Sequence, residues 1–415
     1  MNHRHALALF PILVGLPLTA QEPDSSYADR VRRLETLVAI LQQQLAEQAA
    51  SAVQVRSGVQ VELSGHVLIN GFFNNAKVNT SETPQFVAPP DPPGGPPVTH
   101  VGGTARQSRL AVHVFHPDVG GAVFNGEVDL DFFGGQLAGS RFFPLARLRR
   151  IRMDLAWPNA WIMVGQETPP IAELNPSSLA ADGFPEFTGA GNLWLWLPQI
   201  RAGVGAGDAL RIGIEAAAVA PTDGSAQGTF LTQPDRAERS GLPFAEGRVF
   251  VRWRGSMEGM LSAGGHYGRI AVTDDSALTS QAVAASLRVN LSGFVELRGE
   301  AFAGQALGVL GGGGAGQSFG PGDAPVRTRG GWIQLNLTPS FAWEWGGGIG
   351  IDDPDDADVD PFGSRLRNQI WEAHVHWKPV PVLLGLTFRR ITTDYPVGIG
   401  RRVANHVNVA AGFQF

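Results

Sequence analysis

The sequence predicts an all-β chain: a transmembrane antiparallel β-barrel of about 16 strands, preceded by a short N-terminal coiled-coil helix. Three observations predict it. Long segments alternate apolar and polar residues with a period of two, several near the roughly 9–11 residues that a tilted strand needs to cross a bilayer. Their connections alternate between very short and very long. No apolar run of about 18 residues follows the N-terminus, so no helix is long and apolar enough to span.

Residues 1–20 read as a signal peptide. Arg4, between His3 and His5, gives a basic start, positions 6–18 are apolar but too short to span, and Ala20 offers a small residue for cleavage. Residues 24–50 read as a coiled coil. Val31, Leu34, Val38, Leu41 and Leu45 follow Tyr27 in alternating steps of four and three, the seam of a heptad repeat. Valine at one core position and leucine at the other lean by themselves toward two strands, so the heptads leave dimer and trimer open. Residues 51–57 form a tether, and residues 58–415 the barrel.

The alternation starts at Val59. Val61, Leu63, Val67, Ile69 and Phe73 fall on one face, with Glu62, Ser64, His66, Asn70 and Asn74 on the other. Val128 and Leu130 alternate with Glu127, Asp129 and Asp131, and Val403, Val407, Val409 and Phe413 alternate with His406, Asn408 and Gln414. A helix has a period of 3.6 and would scatter these residues around its circumference. Tight turns are expected at Pro117–Gly120, Pro158-Asn159, Gly255-Ser256 and Pro379-Val380. Long loops are expected over 75–104, 134–146, 168–192, 221–246, 303–327 and 352–364. A compact soluble domain rarely tolerates so many structureless loops.

Composition excludes other classes. With no cysteine among 415 residues there are no disulfides or thiolate metal sites, and a formal charge of −6 argues against a nucleic-acid partner. Trp157, Trp253, Trp332, Trp343, Trp345, Trp371, Trp377 and Phe388 lie near expected strand ends, where a barrel carries its aromatic girdles.

Thr104-Ala105-Arg106-Gln107-Ser108-Arg109-Leu110, the run Gly126 to Gly134, Leu148-Arg149-Arg150-Ile151-Arg152 and Met163-Val164-Gly165-Gln166-Glu167 together resemble the start of DcaP-like porins. The match covers about the first third of the barrel. The resemblance implies a trimeric barrel of the Gram-negative outer membrane that passes small anionic, often carboxylate-bearing, solutes, with its coiled coil in the periplasm. It also implies that the third long loop folds into the lumen.

Parity places Arg109, Arg150, Arg152, Arg248, Arg252 and Arg254 in the lumen, with Glu127, Asp129 and Asp131 among the acids. Arginine favours anions in a pore and binds carboxylate through two parallel bonds. These residues are the expected selectivity lining, with cross-strand bracing of the wall as the competing reading. Glu167, Glu173, Asp182 and Glu186 would face them from the constriction loop. Glu372, His374 and His376 share a strand face, which lumen polarity explains, so no metal and no cofactor is expected. Gly316-Gln317-Ser318-Phe319-Gly320 fits a nucleophile elbow only in spelling, since no strand and helix flank it. The chain is therefore read as a channel and not an enzyme. The alternatives are a secreted adhesin-like β protein or an outer-membrane barrel enzyme.

Overall fold

In the computed structural model the described residues are 53–54, 58–89, 95, 98–135, 144–224, 233–255, 257–273 and 275–415. The expected signal peptide and the expected coiled coil with Val31, Leu34, Val38, Leu41 and Leu45 lie outside them. So does the tether, apart from Val53–Gln54.

Sixteen antiparallel strands close into one barrel. They are β1 (Gln60–Asn74), β2 (His100–Thr104 continued by Arg109–Val119), β3 (Ala122–Asp131), β4 (Arg147–Ala156), β5 (Ala160–Glu167), β6 (Leu197–Ala206), β7 (Leu210–Val219) and β8 (Phe244–Trp253). Then follow β9 (Glu258–Ala271), β10 (Ala277–Ser292), β11 (Val295–Gln305), β12 (Arg327–Ser340), β13 (Trp343–Pro354), β14 (Arg367–Trp377), β15 (Val382–Asp394) and β16 (Arg402–Gln414). Each strand pairs with its neighbour in sequence, and β16 pairs back onto β1, with His406 opposite Asn74 and Gln414 opposite His66. Among the described residues closure gives every strand of the ring a partner on both sides, the condition a sheet must meet in hydrocarbon.

Burial in this barrel is inverted relative to a soluble protein. Ile69 is 60% exposed while the next residue, Asn70, is fully buried. Leu63, Val101, Ile200, Ile214, Val283 and Leu386 stand on the exterior, whereas Asp129, Gln334, His406 and Asn408 are buried inside. An apolar belt of this kind exposed to water would forgo about 25 cal/mol for every Å² left unburied, and hydrocarbon removes that cost. Trp343, Trp345 and Trp371 sit on the outer surface, as expected of girdle residues. Trp332 does not. It points inward and stacks on Phe187 with ring centroids 6.0 Å apart, because it shares the face of Gln334 and Asn336 on β12.

Connections at one end are tight, at 120–121, 157–159, 207–209, 254–257, 293–294, 341–342 and 378–381. Those at the other end are longer, including 75–99, 132–146, 168–196, 220–243 and 306–326. Two local irregularities matter. Between the pieces of β2 the ladder skips Val67, Leu68 and Ile69, and Ser108 fills in at the middle one: its Oγ accepts from the Leu68 N–H at 3.0 Å and donates to the Leu68 carbonyl at 3.2 Å. On β4, Asp129 pairs with Arg150 but Leu130 pairs with Leu148, so Arg149 is an extra residue. This bulge resets the alternation and aims Arg149 and Arg150 into the lumen together.

Candidate pore lining and the loop inside the lumen

Residues 168–196 leave β5 and cross the barrel interior instead of its rim. Early in the loop, the N–H of Leu174 donates to Glu300 of β11 at 2.8 Å, and the N–H of Ser177 donates to Gln334 of β12 at 2.7 Å. Ser177 Oγ donates to Glu344 of β13 at 2.6 Å, and the Leu179 carbonyl accepts from Asn70 of β1 at 2.8 Å. At Asp182 the loop reaches the opposite wall. It then returns past Arg389 of β15, which donates to Glu186 at 2.6 Å, and Asn368 of β14, which donates to the Gly189 carbonyl at 2.9 Å.

Glycines make the seat for this return. The inward-facing positions of β13 include Gly346, Gly348 and Gly350, whose missing side chains leave a groove in the wall. A Cβ on Gly350 would lie 2.2 Å from the Ala190 carbonyl oxygen and 2.7 Å from Phe187 Cβ. Exchange of Gly350 for leucine is therefore expected to unseat residues 187–191. The check is single-channel recording of the purified protein, with an altered or unsteady conductance expected beside the steady wild-type step.

Glu167 is not on the loop but is the last residue of β5, and the four acids do not stand off across a gap from the arginines, as the sequence suggested. They touch them. Asp182 lies 3.2 Å from Arg109 and from Arg149 and 3.3 Å from His66. Glu167 bonds Arg152 at 2.9 Å and Arg150 at 3.4 Å, Glu173 pairs with Arg248, and Glu186 with Arg389. On the wall itself Glu127 pairs with Arg150, Asp129 with Arg109 and Asp131 with Arg147. These contacts pin the loop and brace β2 to β4.

Burial works against ionisation of Asp182, but Arg149 and Arg109 outweigh it and hold its carboxyl well below the usual carboxylate range. A carboxylate depressed on folding stabilises the fold fully above its unfolded value, about 3.9, and loses that contribution as pH falls further. Channel conductance is therefore expected to stay flat from about pH 8 down to about pH 4 as far as this latch is concerned. A step within that window that survives in Asp182→Asn has another origin. One that vanishes in Asp182→Asn overturns the assignment.

On the tight-turn side of the loop lies a cavity of about 630 Å³. Arg152, Arg211, Arg252 and Arg254 line it, with Asp154, Asp208, Glu215 and Trp161. Their states differ. Arg152 is tied to Asp154 and Glu167, and Arg248 to Glu173 and Glu215. Arg211 donates to the Pro158 carbonyl, and Arg252 stacks on the Phe250 ring at 4.8 Å. Among the described residues no carboxylate lies within ion-pair distance of Arg211, Arg252 or Arg254. A smaller cavity under the loop tip is lined by Arg109, Arg149, Arg150, Asp182 and Trp196.

Sequence reasoning left Arg147, Arg149 and Arg201 out of the lining. Arg149 was hidden by the bulge. Arg201 alternates with exposed Ile200 on β6 and bonds Glu215 at 3.3 Å, so its parity was readable.

A closed sixteen-stranded barrel with apolar exterior and charged lumen has the fold of the bacterial porins. The solved structures that this chain resembles say the same. One is the outer membrane channel DcaP of Acinetobacter baumannii, at a TM-score of 0.68 and 16% identity, covering 88% of this chain and 100% of that chain. An anion-selective porin from Comamonas acidovorans follows at 0.56 and 14%, covering 86% and 100%. OmpF of Salmonella typhi, in complex with daunomycin, matches at 0.54 and 10%, covering 88% and 100%. No family model matches the sequence, and no curated protein matches it.

Proposed function

We propose that this chain is a porin of the Gram-negative outer membrane, whose water-filled lumen passes small hydrophilic solutes and prefers anions, carboxylates among them. The observation that carries the reading is the inverted barrel with unpaired arginines on a polar cavity. A soluble adhesin has no use for a continuous apolar exterior, and its polar residues would face out. Arg211, Arg252 and Arg254 supply positive charge that no ion pair among the described residues engages, and a guanidinium fork fits a planar carboxylate. The structurally similar porin from Comamonas acidovorans is anion-selective, which supports the same sign. The homotrimer and the periplasmic coiled coil over 24–50 belong to this reading through the heptads and the DcaP-like motifs. Neither catalysis nor a cofactor enters it.

The test is a planar bilayer holding purified protein across a salt gradient. Discrete conductance steps with a reversal potential of the anion-selective sign are expected. Steps of the cation-selective sign would reject the arginine lining, and absence of steps would reject the channel. The same sample run unheated and heated on a gel reads assembly, with a slow unheated band of about three chains expected.

A further inference from the structure

The lumen wall holds one group of side chains that transport does not account for. His374 and His376 are two apart on β14 and both face inward, buried, with their rings stacked at 4.1 Å and 12°. Glu344 on β13 lies directly opposite His376 in the ladder. One ligand atom from each of the three residues lies within 4.8 Å of the other two. The Glu344 Oε1 atom is 3.3 Å from His374 Nε2 and 3.1 Å from His376 Nδ1.

The hydrogen-bond pattern leaves a nitrogen lone pair unused on His374. His374 Nδ1 sits 2.6 Å from Glu372 Oε1, an acceptor, so this nitrogen carries the proton. Neutral His374 then aims an Nε2 lone pair toward another carboxylate oxygen, and this buried Nε2 has no hydrogen-bond partner. The His376 Nε2 atom is also buried without a partner. A carboxylate behind the far nitrogen of a histidine is how metal-binding imidazoles are oriented and made more basic.

A glycine lets an imidazole and an amide close on this part of the wall. Gly346 lies opposite His374, and a Cβ there would come 2.5 Å from His374 Nε2 and 2.4 Å from Asn336 Oδ1. That Asn336 oxygen is a third buried atom without a partner, because the amide turns its nitrogen to Gln334 at 3.3 Å. Two other groups hold Glu344: Ser177 Oγ at 2.6 Å from Oε1 and Lys378 Nζ at 2.8 Å from Oε2.

We propose that Glu344, His374 and His376 form a binding site for a divalent transition-metal ion of the zinc type in the lumen wall. Glu372 is the positioning residue behind His374, and Asn336 Oδ1 is placed to complete the shell. Two imidazoles and a carboxylate suit Zn²⁺, Ni²⁺ or Cu²⁺ over Ca²⁺ or Mg²⁺, which take oxygen shells. Coordination through His376 Nδ1 places that ring's proton on Nε2. The competing occupant is a proton, which would make His374 an imidazolium clamped between two carboxylates.

Chelator-stripped full-length protein in detergent tests this with Co²⁺ and Zn²⁺ alone. Co²⁺ is expected to give the intense visible absorption of a low-coordinate complex, displaced by one Zn²⁺ per chain. His374→Ala together with His376→Ala should abolish it, while Glu372→Gln should weaken affinity about 10–100-fold and keep the spectrum. Wild-type protein that shows only the weak spectrum of hydrated Co²⁺ would overturn the site, and so would equal uptake by the doubly substituted chain. Unheated gel mobility of the variants reports folding separately, and the wild-type spectrum decides even where a variant fails to fold.

Discussion

Glutamate in place of both Arg252 and Arg254 is expected to shift the channel from anion toward cation preference by about an order of magnitude in permeability ratio. Each unit charge at about 5 Å from a passing ion contributes roughly 0.8 kcal/mol in water. Two reversals change the lining by four units, about 3 kcal/mol before screening. Ionic strength near 0.1 M, with a screening length of about 10 Å, leaves roughly half of that. About 1.4 kcal/mol is a factor of ten. Reversal potentials in matched salt gradients measure the shift. An unchanged ratio would place the selective charges elsewhere. Arg248→Gln provides the contrast. That arginine is almost fully buried between Glu173 and Glu215, so its loss strands Glu173, leaves Glu215 to Arg201 alone and weakens the fold. Its signature is a lower temperature of conversion on the gel.

Glu186→Gln is expected to release the returning arm of the lumen loop. Glu186 and Arg389 are both nearly inaccessible to water and bond at 2.6 Å. Removing one partner of such a buried pair costs about 3–5 kcal/mol, because a charge stays behind in a dry site. That amounts to about two to three and a half decades in the docking equilibrium of the loop. Larger and noisier single-channel steps should follow, with a barrel that still resists unfolding until heated. Arg389→Met together with Glu186→Leu removes both charges and should restore quiet steps. Noise equal to the single variant would show that shape, and not the stranded charge, holds the arm.

Much of the barrel was legible because a strand writes its two faces into alternate residues. Leu63 and Ile69 against Ser64 and Asn70 fix inside and outside on β1 without any other knowledge. Loop lengths gave the two ends. The bulge at Arg149 was not legible, since one inserted residue inverts parity and leaves no mark of its own in composition. Trp332 was misplaced because girdle and interior aromatics are the same residue type, although its parity with Gln334 gave the answer. Partners across the lumen were beyond reach altogether. Nothing in sequence ties Glu186 to Arg389 or Glu344 to Ser177, because those contacts depend on the path of a loop with no periodicity.

The seam between β16 and β1 constrains how this molecule is made. His406 meets Asn74 across a separation of more than three hundred residues, so the ring cannot shut while the chain is still emerging. Until the final hairpin arrives, β1 and every partial sheet present raw edges that invite pairing with a neighbour's. Biogenesis must therefore be a late, concerted event on a polypeptide kept apart from its copies, and loss of β16 should yield aggregate in place of a smaller ring.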